Sequence, residues 1–401
     1  MNCRRFNVAK SLPEADILWP YTMKPPNLVI LATVRTFRQR KILTAGVIAL
    51  GLALQVRLAL LNQTGWGVDF NQFYSAGRLT GTGYLYDWDS LRKIEARHGL
   101  EVPTGRLPVV LYGHKILGLF PYRAAQFIWM ALSLAALIVF ALVWPGARGT
   151  PMLFALAWST PATFAILFGQ DIPFWLMFLA TNLSLMERKR PWSAGIALSL
   201  CICKFHLALG IPVMLAAQKR WKTLIAAASS TSVLIVFCFL IEGPQWPLRY
   251  AKMSQMAAFS PPPEVMPTIS GLAARLPWTL ATEVVAGLAL LLLCWVVCRD
   301  TTRPGMAGAT AAACGLLVAP HALFADTALL IPMAVLTIRQ TAPFWLKAWA
   351  GLILSPAPFL VAAIWQKPWI WQILIPPFVV TAALVARPKQ HSYIPRDRIA
   401  G

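Results

Sequence analysis

The sequence predicts an all-α membrane protein whose chain crosses the bilayer many times. Of its 401 residues, 58% are hydrophobic and only 13% are charged, and the mean hydropathy is +0.60. A soluble protein would carry nearer a quarter of charged residues. The apolar runs repeat at lengths of roughly 17–25 residues, and a helix satisfies its own backbone hydrogen bonds within lipid. We therefore expect about ten to twelve helical membrane segments, some of them spanning only half of the bilayer.

The positive charge indicates how these helices are oriented. A net charge of +21 in a soluble protein would suggest a nucleic-acid partner. Here the basic residues form short clusters between apolar runs, the pattern of cytoplasmic anchors, so no nucleic-acid partner is expected. Arg35, Arg38, Arg40 and Lys41 precede the first apolar run and place the N-terminus in the cytoplasm. The later clusters are Arg188-Lys189-Arg190, Lys219-Arg220 with Lys222, Arg299 with Arg303, and Arg387 with Lys389.

These clusters divide the chain into a membrane domain and two tails. The domain covers residues 42–386, with cytoplasmic tails at 1–41 and 387–401. Residues 62–106 and 242–277 are predicted to be external loops. Six of the seven cysteines lie inside apolar segments, which indicates packing rather than a disulfide framework or a metal site. No cleavable signal peptide is evident, so the first span is expected to remain as an anchor.

Residues 191–217 are predicted to enter the membrane and return to the same side. Basic clusters flank this stretch of 27 residues, and a single helix of that length, roughly 40 Å long, would end on the wrong side. Two half-spanning helices of roughly 20 Å each resolve the conflict. Their apex falls near Lys204-Phe205-His206, and such broken segments are tolerated where they line a cavity.

The remaining spans alternate correctly only in the second half of the chain. Upstream there are three apolar segments, near 107–121, 123–143 and 151–168. If all three crossed the membrane, the next basic cluster would lie on the external side, so one of them is expected to be re-entrant or interfacial. Pro161 makes 151–168 a candidate, and the choice stays open. The downstream spans close on the cytoplasmic side and are expected at 221–241, 278–297, 305–319, 322–337, 343–363 and 368–386.

Asp69 is the most informative polar residue. It follows the first span within Gly67-Val68-Asp69-Phe70-Asn71-Gln72-Phe73-Tyr74, where a carboxylate among aromatic side chains is a poor structural filler. Ionisable residues in so apolar a protein are candidates for function by default. A carboxylate held at the bilayer surface can act as a general base. Asp87 and Asp89 in the same loop fit solvated charges equally well, and as an isolated triplet they are weak evidence for a cation site.

Three further sites are expected on the same external side. Gln170 and Asp171 open the next span, where Asp171 fits a helix N-cap and also a ligand contact. Lys204 at the apex is costly in the bilayer interior unless it is paired, and it is placed to meet a phosphate. His206 is either part of that site or a satisfied core histidine.

The third site follows the span that ends near residue 319. His321 is suited to donate to a phosphate or to orient a carboxylate, and Asp326 follows about one turn later; a capped turn is the structural alternative. His114 and Lys115 fit a basic lip for a lipid phosphate less well than they fit side chains that reach the membrane surface.

Taken in order, these motifs resemble glycosyltransferase family 87, also catalogued as a domain of unknown function. Its members are membrane transferases of the GT-C class that use polyprenyl-phosphate sugars, and they include mycobacterial phosphatidylinositol-mannoside mannosyltransferases. The resemblance covers about residues 45–385. The matching stretches are Asp69-Phe70 through Tyr74-Ser75-Ala76-Gly77-Arg78, Leu85-Tyr86-Asp87, Gly169-Gln170-Asp171, Arg188-Lys189-Arg190-Pro191, Ala194-Gly195, Lys204 and Ala319-Pro320-His321.

The chain departs from the family pattern at three positions. Asp171 replaces the usual Asn, Phe205 stands where Pro often follows the Lys, and Leu107-Pro108-Val109 replaces a Tyr-Pro-Pro stretch. No one motif is diagnostic; the resemblance rests on their order and spacing together.

The resemblance implies a GT-C type bundle with external loop helices and an inverting sugar transfer. The donor, a hexose such as mannose on polyprenyl phosphate, would enter from the outer leaflet. Asp69 would deprotonate the acceptor hydroxyl, a lipid or glycan group, which then attacks the anomeric carbon. Lys204 and His321 would stabilise the leaving lipid phosphate, assisted by Arg78 or His206. Gln170, Asp171, Tyr74 and Asp326 are expected to contact substrate.

The same resemblance implies no cofactor, no nucleotide and no divalent metal. It places the protein in the bacterial inner membrane, with membrane lipids as partners and the active site on the periplasmic side. Two alternatives come from other classes. A transporter or flippase would also contain half-helices and buried charges, but it should show an internal repeat. A non-catalytic scaffold would leave the mixture of acids and bases near the outer leaflet without explanation.

Overall fold

Helices form the regular secondary structure of the described residues, which are 26–61, 66–99, 101–256, 259, 261–365 and 369–387 of a computed structural model. No strand occurs within these ranges, and the all-α polytopic membrane fold is confirmed. The chain divides into two units, residues 1–47 and 48–401. Residues 1–25 and 388–401, and with them most of the predicted tails, lie outside the described part. The side chains of Arg35, Arg38, Arg40 and Lys41 also lie outside it.

The helices of the first half of the chain contain both long apolar and short polar elements. They are α1 (Pro26–Leu61), α2 (Val68–Leu79), α3 (Trp88–Glu95), α4 (Pro108–Leu117), α5 (Tyr122–Val143), α6 (Thr150–Trp158), α7 (Thr160–Phe168), α8 (Ile172–Glu187), α9 (Pro191–Ser199) and α10 (Gly210–Ala217). A 3₁₀ helix, Leu200–Ala208, joins α9 to α10.

The second half of the described chain continues with apolar helices on both sides of the stretch 242–277. Its helices are α11 (Trp221–Glu242), α12 (Trp246–Ser254), α13 (Ile269–Ala273), α14 (Thr279–Asp300), α15 (Pro304–Val318), α16 (Ile331–Arg339), α17 (Phe344–Leu354), α18 (Ala357–Trp365) and α19 (Ile370–Ala386). Short 3₁₀ helices cover Pro263–Val265 and Phe324–Leu330.

Five helical stretches of the described chain are long and apolar enough to cross a membrane, and two bent pairs raise this number to seven. The five stretches are Ile42–Leu61, Tyr122–Val143, Pro191–Ala208, Trp221–Glu242 and Thr279–Asp300. The bent pairs are α6 with α7, at 71°, and α17 with α18, at 62°. Shorter apolar helices α8, α15 and α19 accompany them. The count of ten to twelve membrane segments stays a prediction.

Two contacts bring the ends of several helices of the membrane domain together. Arg148, just before α6, pairs with Glu187 at the end of α8. Gly305, at the start of α15, has no room for a side chain, because an added Cβ would lie 1.9 Å from the backbone oxygen of Pro145. The end of α5 and the starts of α6 and α15 therefore lie on one face, together with the end of α8.

Two further contacts extend this face to the end of the chain. The Nε2 atom of Gln218, after α10, donates to the backbone oxygen of Thr301 at 3.1 Å. Asp300, at the end of α14, accepts from the Nε atom of Arg387 at 2.8 Å. We call this end of the bundle, which carries the clusters at 188–190, 219–222, 299–303 and 387, the basic face.

The re-entrant path of residues 191–217 agrees with these contacts. Gly195 of α9 packs against the first turns of α11, where an added Cβ would lie 2.5 Å from the Cβ atom of Ala226. Since α10 ends four residues before α11 begins, both ends of the segment lie at the basic face. Between them Lys204 has non-helical angles of φ −137° and ψ 67°. The predicted apex coincides with this break.

The structure offers a second candidate for the upstream segment that does not cross the membrane, and it leaves the Pro161 candidate open. Helix α4 has only ten residues, which is too short to cross a bilayer. The α6–α7 pair is bent by 71°, the geometry of a broken span or of a re-entrant loop. Pro161 stands in the first turn of α7, where Ser159 caps the helix by accepting from the backbone N–H of Ala162, so a new helix starts at this residue. The re-entrant path of 151–168 stays a prediction.

Helix α15 fills the centre of the bundle because its small residues allow close approach. Residues 305–317 of α15 are buried throughout. An added Cβ at Gly315 would lie 2.2 Å from the backbone oxygen of Leu207, and one at Gly210 would lie 2.1 Å from that of Ala311. Such small-residue contacts bring helices together in membranes, where lipid supplies little hydrophobic drive between them. They hold the Lys204 break firmly against α15.

We expect Gly315→Ala to destabilise the fold although alanine is the better helix former. Alanine gains up to about 1 kcal/mol of helix propensity, while overpacking against backbone costs typically about 1–3 kcal/mol or more. The matched control is Gly351→Ala in α17, where nothing lies within 4 Å of the added Cβ. Thermal unfolding in detergent should show a lower midpoint for Gly315→Ala and an unchanged or higher one for Gly351→Ala. Equal midpoints would contradict the close packing.

Candidate functional site

Six separate stretches of the chain line one cavity of about 610 Å³ at the end of the bundle opposite the basic face. Each stretch lies where a helix begins, breaks or ends, so the polar groups of the cavity are carried by the ends of helices. The stretches are the start of α2 with Asp69, the loop 102–106, the turn between α7 and α8, the break at Lys204 and His206, residues 259, 261 and 262, and residues 321–326 after α15.

Two glycines place Asp69 at the wall of this cavity. Gly67, with a left-handed φ of 75°, precedes α2, and its N–H donates to the backbone oxygen of Leu167 at 2.8 Å. Gly169 is also left-handed, and an added Cβ there would lie 2.4 Å from the Cβ atom of Phe70. These contacts press the first turn of α2 against the α7–α8 turn, which brings Asp69 and Gln170 into hydrogen-bonding contact.

The environment of Asp69 makes it a stronger base than an ordinary aspartate. Burial raises the pKa of its carboxyl group from 3.8 to about 6. The positive charges of Lys204 and Arg106 and the hydrogen bond with Gln170 oppose this rise but do not cancel it. The group is thus ionised at neutral pH and can accept a proton with little penalty.

Arg106 forms a buried, two-point ion pair with Asp171. Its Nε atom lies 2.6 Å from Oδ2 of Asp171 and its Nη2 atom lies 3.1 Å from Oδ1. Asp171 occupies the N-cap position of α8, as the sequence predicts, but its side chain makes no capping hydrogen bond. The carboxylate serves Arg106 instead, because an unpaired guanidinium in this interior would cost more than an unmade cap.

Side chains from three elements hold the loop that carries Arg106. The hydroxyl group of Tyr86 donates to the backbone oxygen of Arg106 at 2.8 Å. Nε2 of Gln72 donates to the oxygen of Pro103 at 2.6 Å, and the hydroxyl of Tyr250 donates to that of Gly105 at 3.4 Å. The guanidinium of Arg106 also lies over the ring of Phe73, 5.0 Å from its centroid, a favourable cation–π arrangement. The loop is therefore fixed in place.

Lys204 is buried at the break between α9 and α10 and is held by groups from two other segments. Its Nζ atom donates to Oε1 of Gln170 at 2.6 Å and forms a close ion pair with Asp326. Asp171 lies 3.8 Å away, so the two ion pairs form one network. Asp326 is fixed in turn, because its other oxygen accepts the backbone N–H of Leu323 at 2.8 Å.

Two histidines meet beside this network. The rings of His206 and His321 lie 4.2 Å apart between centroids. Nε2 of His206 is buried and has no hydrogen-bond partner among the residues that the structure describes. Burial and the nearby charge of Lys204 lower the pKa of His321, so its imidazole is neutral. The two imidazole rings both line the cavity.

The cavity gathers most of the predicted site residues. Asp69, Gln170, Lys204, His206, His321 and Asp326 line it, and Asp171 stands behind Arg106. Tyr74 and Arg78 do not line it. The hydroxyl of Tyr74 donates to the backbone oxygen of Phe120 at 2.9 Å, within an aromatic cluster, and the exposed Arg78 lies 6.0 Å from that ring. The structure thus gives these two side chains a structural setting away from the cavity.

Arg106 is the main functional candidate that the sequence did not single out. It precedes His114 and Lys115, which were considered as a basic lip, but neither of those lines the cavity. His114 packs against Trp129 with ring centroids 4.4 Å apart, and Nζ of Lys115 donates to the backbone oxygen of Thr80 at 3.0 Å. Gln72, three residues after Asp69 on the same helix, was also missed.

The Asp87–Asp89 pair has structural partners. Asp87 caps α3 by accepting from the N–H of Ser90 at 2.9 Å, and Asp89 pairs with Arg92 at 3.4 Å. Within the described ranges no group of three or more His, Cys, Asp or Glu side chains is arranged to hold a metal ion. The expected independence from metals and cofactors stays a prediction.

The sequence model of glycosyltransferase family 87 matches residues 108–320, which is more than half of the chain. The chain belongs to glycosyltransferase family 87. No curated protein and no solved structure gives a significant match. The matched region of this family 87 protein contains Gln170, Asp171, Lys204 and His206. Asp69 and Arg106 precede it and His321 and Asp326 follow it, so the fold completes a site that the match covers only in part.

We expect Arg106→Met to destabilise the protein strongly. Removing one partner of a buried ion pair costs about 3–5 kcal/mol, and the low end applies here because Lys204 still lies near Asp171. The double variant Arg106→Met/Asp171→Leu should recover most of this loss, because no charge is then left unpaired. Unfolding midpoints of the single and double variants in detergent test this. A double variant less stable than the single one would argue against the pair as the source of the effect.

Proposed function

We propose that this family 87 glycosyltransferase moves a hexose, mannose-like, from a polyprenyl-phosphate donor to a hydroxyl group of a lipid or glycan. Asp69 would act as the general base, and the anomeric carbon would invert. The observation that carries this proposal is the shared cavity: a carboxylate with a raised pKa opens onto the same space as two buried cations, Lys204 and Arg106. Family membership favours such an enzyme over the transporter alternative.

The base fits its task by position and by pKa. A general base works best when its pKa lies near the operating pH, because it is then ionised yet still accepts the proton readily. Asp69, with a pKa of about 6, meets this condition. Attack by the acceptor oxygen on the anomeric carbon breaks the bond from that carbon to the phosphate oxygen. The acceptor proton passes to Asp69, and the electron pair of the broken bond stays on the lipid phosphate.

The leaving phosphate gains negative charge, and the cavity has hydrogen-bond donors left for it. The ammonium of Lys204 has three donors, of which Gln170 and Asp326 take two. The guanidinium of Arg106 has five, of which Asp171 takes two. His206 adds a ring nitrogen that has no partner among the described residues. Fixed donors stabilise developing charge because they need no reorganisation during the reaction.

The location of the cavity supports transfer on the outer side of a cell membrane. The cavity lies at the opposite end of the bundle from the basic face, and positive clusters mark the cytoplasmic side. A donor in the outer leaflet of a bacterial inner membrane would then reach Lys204 from the lipid. The external loops at 62–106 and 242–277 would cover the acceptor side.

We expect Asp69→Asn to abolish sugar transfer without unfolding the protein. Loss of a general base typically lowers the rate by about 10²–10⁴-fold, and asparagine keeps the shape of the side chain. Transfer is measured in vesicles supplied with polyprenyl-phosphate sugars. The matched control is Asp89→Asn, an acid of the same external region that faces solvent. Full activity of Asp69→Asn would eliminate the general-base role.

The rate should also depend on pH in a defined direction. The pKa of Asp69 is raised to about 6, so the base is increasingly protonated, and therefore inactive, as the pH falls through that value. We expect kcat/KM to be constant well above pH 6 and to fall about tenfold per pH unit well below it. A profile with its acidic limb near pH 4 would indicate an ordinary exposed carboxylate as the base.

A further inference from the structure

A second, smaller cavity of about 280 Å³ adjoins the candidate active site. The two spaces share three lining residues: Phe168, Gln170 and Leu323. The shared Gln170 is the residue that holds Lys204 and contacts Asp69. The second space, which we call the aromatic chamber, therefore borders the candidate active site at the residue that holds Lys204.

The aromatic chamber is suited to a hydrocarbon. Its walls are built largely from rings of α7, the 3₁₀ helix Phe324–Leu330, α18 and α19. The centroids of Phe164 and Phe359 lie 4.9 Å apart, and those of Phe324 and Trp371 lie 4.8 Å apart. Gln170 is the polar side chain in the wall, and its oxygen is committed to Lys204. A sugar placed here would leave its hydroxyl groups unpaired, at several kcal/mol each in the least favourable case.

The chamber also reaches the surface that faces lipid. Ala362, on α18, lines it and is half-buried, while Ala363 beside it also lines it and is exposed. Ile364, the next residue, is 74% exposed. The chamber therefore ends at small and apolar residues on the outer surface of α18. It lies between the candidate active site and an apolar surface that is suited to face lipid.

We propose that the aromatic chamber binds the first isoprene units of the donor lipid, with the phosphate at Lys204 and the rest of the chain leaving past α18. This inference rests on the proposed function, because it takes the donor to be a lipid phosphate. Because the chamber is small, it can hold only the part of the chain next to the phosphate. We therefore expect the protein to recognise that part and to be insensitive to the length of the chain beyond it.

Two other apolar grooves are less suitable for this chain. One, of about 530 Å³, lies between α6 and α17 and includes Arg339, near the basic face. The other, of about 420 Å³, lies between the 3₁₀ helix Leu200–Ala208 and α11. Neither shares a lining residue with the candidate active site. Of these three apolar spaces, the aromatic chamber is the one that borders the candidate active site.

The test compares donors of different chain length on the wild-type protein and on Ala362→Phe, which fills the chamber. The donors carry one, two, four or more isoprene units on the same sugar phosphate. For the wild type we expect KM to fall over the first few units and then to level off. For Ala362→Phe we expect KM for long donors to rise about tenfold, toward the KM for short donors. Burial of one isoprene unit raises the affinity by about this factor or more, and the variant loses that contribution. Turnover at saturation should change little.

Two matched variants fill the other grooves instead. Gly351→Phe occupies the groove between α6 and α17, where the added side chain meets nothing within 4 Å of its Cβ. Ala228→Phe occupies the groove beside α11. Both should keep the wild-type dependence on chain length. Loss of that dependence in Ala228→Phe, with Ala362→Phe unaffected, would place the chain in the groove beside α11 and overturn the proposal.

A labelling experiment on the wild type covers the case in which Ala362→Phe does not fold. A donor analogue with a photoreactive diazirine on its first isoprene unit should label peptides from α7, α18 or α19, and labelling confined to α9–α11 would contradict the proposal.

The proposed function and the aromatic chamber are contradicted by different results. A wild-type protein that uses no lipid-phosphate sugar at all contradicts the proposed function. One that transfers equally well from short and long donors contradicts only the aromatic chamber.

Discussion

The rest of the candidate site depends on a buried network of two ion pairs, Arg106 with Asp171 and Lys204 with Asp326. Each charge alone would be costly in so apolar an interior, and only close pairing offsets that cost. The four residues come from four separate stretches of the chain, so the helices must bring them together before any of the charges is compensated. The fold and the site are thus coupled: a bundle that leaves one partner out is penalised by the charge that remains.

The backbone irregularities of the bundle serve this network. Lys204 reaches Asp326 and Gln170 because the helix breaks at that residue, and the break is held by small residues of α15 that admit the backbone of Leu207 and Gly210. Gly169 lets the turn before α8 approach α2, which brings Gln170 to Asp69. In each case irregular backbone occurs where it lines the cavity, the one environment in which a membrane protein tolerates it.

Charge patterns predicted the topology better than they predicted individual site residues. The flanking basic clusters alone predict the path of residues 191–217, because the sidedness of a loop is a property of the local sequence, and the helix break at Lys204 agrees with that path. Helix phase explains why Tyr74 and Arg78 do not line the cavity with Asp69: at about 100° per residue they lie about 140° and 180° around α2 from it, whereas Gln72 lies about 60° away. Arg106 was not singled out because its partner, Asp171, is 65 residues away in the sequence. From the local sequence alone, such an arginine looks the same as one whose side chain reaches the membrane surface.

The ion pairs also explain how Asp69 stays basic beside two cations. Unpaired positive charges at this range would stabilise the carboxylate and lower its pKa below the ordinary value. Here Lys204 and Arg106 lower it less than burial raises it, and the negative charge of Asp326 adds to the rise. Asp171 and Asp326 therefore have two effects on one site. They hold the two cations in fixed positions, and the negative charge of Asp326 offsets part of the positive field at Asp69. In the reaction that we propose, a phosphate bound at Lys204 would add negative charge and raise the pKa of Asp69 further, so that donor binding would itself prepare the proton acceptor.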